Sequence, residues 1–167
     1  MKKIAVIHDL SGMGKCSLTA AIPVISVMGI QACPLPTAVL SCQTGFPSYF
    51  WDDYTDRMEQ IMDEWKKMGF RPDGVYTGFL GDARQVDVIL KFVDTFCTET
   101  THILVDPVMG DQGKVYKTYS EEDAYSGTAC NCDHAQYYRS TASFVWRRKN
   151  EKANGTFLRY ERRTAAW

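Results

Sequence analysis

The stretch Lys3–Ser17, KIAVIHDLSGMGKCS, decides the fold. Its apolar run Ile4–Ile7 is short and uninterrupted, as expected for a β-strand that is covered on both faces. His8, Asp9 and Ser11 come directly after this run, where the strand should end. The sequence therefore predicts a buried first strand with polar side chains at its carboxyl end.

A glycine turn and a helix follow the first strand. Gly12 and Gly14 can adopt positive φ and let the backbone approach a ligand closely. Ser17 or Thr19 can cap the helix that begins there. A polar turn between the first strand and the first helix of an open α/β sheet is a common place for a ligand.

The next segments alternate between strand and helix. After the first helix come a strand over Gln31–Leu40, which Pro34 and Pro36 should break, a polar loop over Ser41–Tyr49 and a helix over Asp52–Met68. The segment Gly74–Gly81 follows as a short strand that leads into a glycine turn, and then come a helix over Asp82–Cys97 and a strand over Ile103–Asp106. Such alternation predicts a parallel sheet with helices on its faces. Right-handed crossovers should gather Asp9, Thr44, Phe79 and Asp106 at one edge.

The two later helices have apolar residues at helical spacing. The expected inner faces are Met58, Ile61, Met62 and Trp65 in one helix, and Val86, Ile89, Leu90 and Val93 in the other. Asp52 or Asp53 can cap the former, and Gly69 can end it.

Composition restricts the class of protein. With 167 residues, 45% of them hydrophobic, the chain forms one domain or part of a larger one. The net charge of −1 implies no general attraction to nucleic acid or membranes. The sequence has neither a membrane-spanning apolar segment nor a signal peptide at its start. The six scattered cysteines indicate reduced thiols, and we expect a cytoplasmic protein.

The segment Gly12–Ser17, GMGKCS, is partly similar to a P-loop. The complete motif requires glycine five positions before Gly14 and serine or threonine after Lys15, but the chain has Asp9 and Cys16 there. An aspartate would repel phosphate. A P-loop, a turn without a ligand and a small-molecule site of another kind all remain open at this point.

Asp106–Asp111, DPVMGD, places two carboxylates at a strand end. Pro107 stops the strand and Gly110 allows a turn. Paired carboxylates suit Mg²⁺, which is often shared between protein carboxylates and substrate phosphates. Turn chemistry alone explains the segment equally well.

Two further loops are candidates for ligand contacts. In Thr77–Gly81, TGFLG, the flanking glycines would let Phe79 lie over a flat ligand, although a plain strand-to-helix turn also fits. Thr44 and Gly45 could donate a hydroxyl and an N–H, and an ordinary polar loop fits them equally well.

Together these segments resemble the pyridoxal/pyridoxamine kinase family of the ribokinase-like superfamily over about Lys2–Ser120. The hydroxymethylpyrimidine kinases are close relatives of this family. The Asp-x-Ser-Gly pattern that begins at Asp9 is similar to the corresponding loop of these enzymes. Many pyridoxal kinases have a serine where this chain has Asp9. The resemblance implies a three-layer α/β/α fold with a mostly parallel sheet, of which the chain holds the N-terminal part.

The resemblance also implies an activity and residue roles. ATP and Mg²⁺ would be used to phosphorylate the 5′-hydroxymethyl group of a vitamin B6 vitamer. Asp9, Ser11, Thr44, Gly45 and Phe79 would bind the vitamer. A homodimer is common in the family.

In the same family, the ATP phosphates and the metal lie near two carboxylates, here Asp106 and Asp111. The family's catalytic aspartate and its Gly-rich anion hole lie beyond the matching segment. We therefore expect little or no kinase activity from this chain.

The composition changes near Asp123, which divides the chain into a kinase part, 1–122, and an atypical tail, 123–167. We wrote possible codons for Ala129–Arg147 and read them in the frame that begins one base later. In that frame, part of the segment can encode the peptide ATVITPNITE. This peptide is similar to the family's next motif, DIITPNxTE. We interpret the tail as the product of a frameshift and expect it to be poorly ordered. Cys130, Cys132 and His134 lack the second ligand pair of a metal site.

The expected function is thus vitamin B6 salvage. The alternatives are a hydroxymethylpyrimidine kinase of thiamine synthesis, a P-loop nucleotide-binding protein and a non-catalytic remnant of a kinase.

Overall fold

A computed structural model describes residues 1–106 and the short strands 110–111, 114–115, 144–148 and 158–161. The helices are α1 (Ser17–Val27), α2 (Thr55–Lys67) and α3 (Arg84–Phe96). The strands are β1 (Lys3–Ser11), β2 (Gln31–Leu40), β3 (Trp51–Asp53), β4 (Gly74–Thr77), β5 (His102–Val105), β6 (Gly110–Asp111), β7 (Lys114–Val115), β8 (Phe144–Arg148) and β9 (Leu158–Glu161). The expected tail at 123–167 lies outside the described residues except for β8 and β9.

The main sheet has the order β3-β2-β1-β4-β5-β8-β9. The pairs β2-β1, β1-β4 and β4-β5 are parallel, while β3, β8 and β9 pair antiparallel to their neighbours. The chain moves from β1 to β2 on one side and later to β4 and β5 on the other. Right-handed crossovers therefore place α1 on one face and α2 and α3 on the opposite face. The predicted α/β class and mostly parallel sheet are confirmed.

The main core lies between the sheet and the α2–α3 layer. Alternate strand residues point toward these helices, because successive side chains of a strand face opposite sides. The core consists of Ala5, Ile7, Leu35, Met58, Met62, Val75, Val88, Phe92, Phe96 and Ile103. Ile61 and Trp65 pack against it, so the predicted inner face of α2 is confirmed.

The first strand is longer than its apolar run. β1 continues through His8, Asp9 and Ser11, whose side chains are buried at the sheet edge. The predicted polar carboxyl end is therefore confirmed, and the strand ends at Ser11, the last of these residues, because β2 pairs alongside them as far as Leu40.

Proline does not break β2. Pro34 and Pro36 lie inside the continuous strand Gln31–Leu40. On the side away from β1, the strand pairs only with β3, at Ala38–Leu40, so the two prolines can face an unpaired edge. Proline is tolerated there because no ladder hydrogen bond is required from its nitrogen.

Two details of the helices differ from the prediction. Ile89 and Val93 of the predicted inner face of α3 do pack against the core, but Leu90 is 42% exposed. The most buried residues of the helix are Gln85, Val88, Phe92 and Phe96. These residues begin one position earlier than the predicted set and include a polar side chain that a search for apolar periodicity overlooks.

The expected caps also differ. The N-cap position of α1 is Cys16 and not Ser17 or Thr19, while that of α2 is Tyr54, and neither makes a side-chain capping bond. Asp53 does stabilise the start of α2, because its Oδ1 accepts from the Thr55 N–H at 2.7 Å. No helix in the described part of the chain is long and apolar enough to span a membrane.

Candidate functional site

The candidate site is a crevice between the carboxyl ends of β1 and β4, which are neighbours in the sheet. The loop after β1 leads to α1 on one face, and the loop after β4 leads to α3 on the other. The two loops therefore diverge toward opposite faces of the sheet. Ligands of open α/β sheets bind at such points, where the strand order reverses.

Asp9 is buried at the β1 side of this crevice, with only 4% of its surface exposed. Its Oδ2 accepts a hydrogen bond of 2.8 Å from Ser11 Oγ, and its Oδ1 lies 3.0 Å from His8 Nδ1. Burial by itself would raise the pKa of Asp9, but hydrogen bonds from His8, Ser17 and Ser11 outweigh it and lower the pKa. Asp9 is therefore ionised at neutral pH.

His8 connects β1 to the loop that follows β4. Its Nδ1 lies 3.2 Å from the Phe79 nitrogen and 3.1 Å from the Asp9 nitrogen, so it can accept a hydrogen bond from either amide. Nδ1 carries either a proton or a lone pair. It therefore donates to the Asp9 carboxylate in one tautomer and accepts from the amides in the other.

Phe79 is enclosed by aromatic and polar neighbours. Its ring meets Trp51 edge-on, with the centroids 5.8 Å apart. The indole of Trp51 also covers Gly81, where any Cβ would overlap the ring. Phe79 is 7% exposed, so most of its surface already contacts the protein. A contact between its ring and a flat ligand stays a prediction.

The Thr44–Gly45 loop lies against the turn after β1. The amides of Gly12 and Met13 donate to the carbonyls of Leu40 and Ser41, at 2.9 and 3.2 Å. This approach requires glycine at position 12, because a Cβ there would lie 2.7 Å from the Ser41 oxygen. Gly12 does not have the predicted positive φ.

Gln43 fills the space between the two loops. Gly14 has a φ of +118°, as predicted, and a Cβ there would overlap the Gln43 side chain. Gln43 Oε1 accepts the Gly45 N–H at 2.7 Å. The Gly45 N–H, which we predicted as a possible hydrogen-bond donor to a ligand, is therefore already bonded to the Gln43 side chain.

Asp106 lies at the end of β5 and joins the same edge. Its N–H donates to the Thr77 carbonyl at 2.9 Å. Burial, together with the charge of Asp106 and a hydrogen bond to it, raises the pKa of Tyr76. The Tyr76 ring meets the His8 ring edge-on at 6.0 Å, so side chains connect Asp9 to Asp106 across the sheet edge.

Asp111 lies on β6, where its backbone pairs with Lys114. Its side chain is outside the described part of the structure, so the pairing of Asp106 with Asp111 stays a prediction. Where side chains are described, no group of three His, Cys, Asp or Glu residues could hold a metal. Asp106 has the oxygen chemistry that Mg²⁺ prefers and could supply one carboxylate beside substrate phosphates.

Sequence reasoning identified Asp9, Ser11 and Phe79, which the structure brings to one crevice through His8. It assigned no role to His8, Gln43 or Trp51. His8 and Trp51 contact Phe79, which is distant from both of them in the sequence. Such contacts cannot be predicted from the spacing of residues within one segment. The glycines of the loops were the one available signal, because each marks a place where another side chain fills the space.

The chain is similar to a Bacteroides thetaiotaomicron structure named a phosphomethylpyrimidine kinase, in a crystal form with pyridoxal. The two are 49% identical with a TM-score of 0.70, over 71% of this chain and 42% of that chain. The described part of the chain has the ribokinase-like kinase fold. The family resemblance predicted from the sequence motifs is thereby confirmed.

Two other ribokinase-like structures are more distant. The pyridoxal kinase of Lactobacillus plantarum is 25% identical with a TM-score of 0.67, over 77% of this chain and 45% of that one. The pyridoxal kinase of Leishmania donovani, in complex with ADP and pyridoxamine, is 22% identical with a TM-score of 0.66, over 75% and 46%. At 22% identity, the similarity to the Leishmania donovani structure concerns the fold alone.

The chain spans less than half the length of these ribokinase-like structures, between 42% and 46% of each. No protein-family model matches the chain, and no curated protein does.

Proposed function

We propose that the crevice between β1 and β4 binds a vitamin B6 vitamer for phosphorylation by ATP at its 5′-hydroxymethyl group. The observation that carries this proposal is the 49% identity with a structure crystallised with pyridoxal. The site's position at the point of strand reversal supports it, because small ligands of open α/β sheets bind there.

Asp9 and Ser11 suit the polar substituents of a pyridine ring. The Asp9 carboxylate is ionised and can accept from a ring hydroxyl or a protonated ring nitrogen, while Ser11 orients it through the 2.8 Å bond. Thr44 would add a hydroxyl from the neighbouring loop, next to Gly45. Phe79 would supply apolar contact, together with the partly exposed Trp51.

The reaction would form a bond between the vitamer hydroxyl oxygen and the γ-phosphorus of ATP and break the bond from that phosphorus to the β–γ bridging oxygen. The products are the vitamer 5′-phosphate and ADP, and the hydroxyl proton passes to a base. Phosphoryl transfer of this kind depends mostly on positioning and electrostatic stabilisation. Mg²⁺ would neutralise charge on the phosphates, and Asp106, with Asp111, would help to hold it.

We assign Asp9 to binding and not to proton abstraction. Its lowered pKa and its contacts with His8 and Ser11 make it a weak base, whereas an efficient general base has a pKa near the working pH.

Binding should be tested separately from turnover, because the chain spans less than half of its relatives. Calorimetric titration with pyridoxamine avoids the reaction of the pyridoxal aldehyde with lysines. We expect saturable binding of pyridoxamine, weaker binding of hydroxymethylpyrimidine, and a loss of about tenfold or more in Asp9→Asn, the size expected for one charged hydrogen bond.

A release of ADP from MgATP that depends on pyridoxamine would establish turnover. Tighter binding of hydroxymethylpyrimidine than of pyridoxamine would contradict the vitamer assignment. The absence of binding of both compounds would contradict the proposed site.

A further inference from the structure

Two completely buried polar residues, Thr37 and Gln85, lie behind the loop that follows β4. Both are 0% exposed. Polar side chains such as these are seldom fully buried, and when they are, they are almost always hydrogen-bonded. Neither lies at the mouth of the crevice, and the roles proposed above do not include them.

Thr37 lies at an irregularity of the parallel pair β1–β2. The register passes from His8↔Pro36 to Leu10↔Val39, so β2 has one more residue than β1 in this interval. Such a bulge frees backbone groups and redirects side chains, and bulges are often found beside active sites. Here the Thr37 hydroxyl donates to the carbonyl of Phe79 at 3.0 Å.

The freed carbonyl of Thr37 is also used. It accepts a hydrogen bond from the Tyr54 N–H at 3.1 Å and another from Gln85 Nε2 at 2.8 Å. Thr37 therefore links β2 to the start of α2, to α3 and to the loop after β4.

Gln85 holds the other end of this loop. Its Oε1 accepts the Gly81 N–H at 2.9 Å, and its Nε2 also donates to Thr55 Oγ1 at 2.9 Å. Gln85 lies in the first turn of α3, so the helix that begins after the loop also fixes the loop's conformation.

Two side chains thus hold the loop on both sides of Leu80. Thr37 donates to the Phe79 carbonyl, and Gln85 accepts the Gly81 N–H. In the tautomer in which Nδ1 carries no proton, His8 also accepts the Phe79 N–H. An apolar core could fill the same volume without these groups. A fully satisfied buried network instead selects a single conformation, because any other arrangement leaves polar groups unpaired.

We propose that Thr37 and Gln85 are positioning residues that fix the Phe79–Gly81 segment in the conformation that receives the ligand. This inference rests on the proposed function, because the ligand is a B6 vitamer bound at the crevice. Neither residue touches the ligand; each acts through the backbone of the loop.

The test compares Thr37→Val, which keeps the branched shape and removes the hydroxyl, with Thr37→Ser, which keeps the hydroxyl. Pyridoxamine affinity is measured by calorimetry on the full chain, and amide hydrogen exchange by NMR. We expect Thr37→Val to bind about tenfold more weakly, the loss expected for one buried hydrogen bond. The affinity of Thr37→Ser for pyridoxamine should stay within about twofold of the wild-type affinity.

Hydrogen exchange separates local positioning from general stability. In Thr37→Val the amide hydrogens of Phe79 and Gly81 should exchange faster, because the loop opens more often. The amide hydrogen of Val6 in β1 should keep its protection, because the sheet is unaffected. Gln85→Met, which removes both donor and acceptor, provides a second variant and should also weaken binding and expose the Gly81 amide.

Unchanged affinity in Thr37→Val and Gln85→Met would overturn the positioning role, as would exchange that accelerates equally at Val6 and Phe79. A wild-type chain that binds no pyridoxamine would instead overturn the proposed function itself. The two failures are therefore distinguishable.

Discussion

The Nδ1 atom of His8 lies 3.2 Å from the backbone nitrogen of Phe79, which is 71 residues further along the chain. This contact joins the end of the first strand to the loop after the fourth. It is possible because residue 78 is glycine and the His8 imidazole occupies the place where a Cβ would be. Gly78 and His8 therefore form a matched pair in which one residue supplies the space that the other fills.

Substitution of Gly78 by alanine should be strongly destabilising. The added methyl group must displace the His8 ring, which also removes the hydrogen bond that Nδ1 makes with either the Asp9 carboxylate or the Phe79 amide. Overpacking and the loss of a buried hydrogen bond together should cost about 2–4 kcal/mol of unfolding free energy. Urea unfolding of Gly78→Ala at pH 7 measures this loss.

Gly29→Ala is the matched control for Gly78→Ala. Gly29 has a φ of +74° with no atom within 4 Å of an added Cβ, so the substitution introduces backbone strain without a clash. It should cost about 1 kcal/mol. Equal losses in the two variants would contradict the packing of Gly78 against His8.

The order of elements could be predicted because it depends on local patterns. The apolar run at Ile4–Ile7 and the spacing of Met58 and Met62 appear directly in the sequence. The short edge strand Trp51–Asp53 could not be predicted in this way, because its three residues are defined by pairing with β2. The length of β1 beyond Ile7 likewise depends on a partner strand.

The residues of the candidate site also differ in whether local sequence patterns could identify them. Asp9 and Phe79 were accessible to sequence reasoning because polar residues and glycines follow buried strands. Gln85 was not, because a glutamine on a helix is usually solvated, and only the loop and β2 around it explain its burial. Long-range hydrogen bonds of this kind leave no periodic signal in the sequence.

The inner face of α3 provides a direct stability test. Phe92 is 0% exposed and packs against Phe96 with the ring centroids 4.7 Å apart, whereas Leu90 is 42% exposed. Phe92→Ala should lower the unfolding free energy by about 3–5 kcal/mol, and Leu90→Ala by much less, about 0.5 kcal/mol. Thermal unfolding of both variants checks this, and a larger loss at Leu90 would reverse the assignment of the two faces.

Lys15 distinguishes the proposed function from a P-loop. In a P-loop the lysine reaches the nucleotide phosphates, so its removal abolishes nucleotide binding. Lys15 is exposed and has a φ of +48° in the turn after β1. We expect Lys15→Ala to retain the wild-type affinities for MgADP and pyridoxamine within about threefold in calorimetric titrations. A collapse of MgADP binding in this variant alone would favour the P-loop.

Asp9 should make the stability of the protein depend on acid pH. Its pKa in the folded chain lies below the ordinary value of 3.8, so the folded state favours the carboxylate more than the unfolded state does. The resulting stabilisation is fully present above the unfolded pKa and is lost as the pH falls through the folded pKa. Wild-type unfolding free energy should therefore decrease below about pH 4, which urea unfolding between pH 7 and pH 3 can measure.

Asp9→Asn isolates this contribution because asparagine does not titrate. The variant should be less stable than the wild type at pH 7, since it loses the charged hydrogen bonds to His8 and Ser11. The difference should shrink as the pH approaches 3, when the wild-type carboxylate begins to be protonated. Asp63→Asn, at an exposed position of α2, is the matched control and should leave the unfolding free energy at pH 7 within about 0.5 kcal/mol of the wild type. A difference between wild type and Asp9→Asn that is constant from pH 7 to pH 3 would show that the Asp9 charge does not stabilise this end of β1.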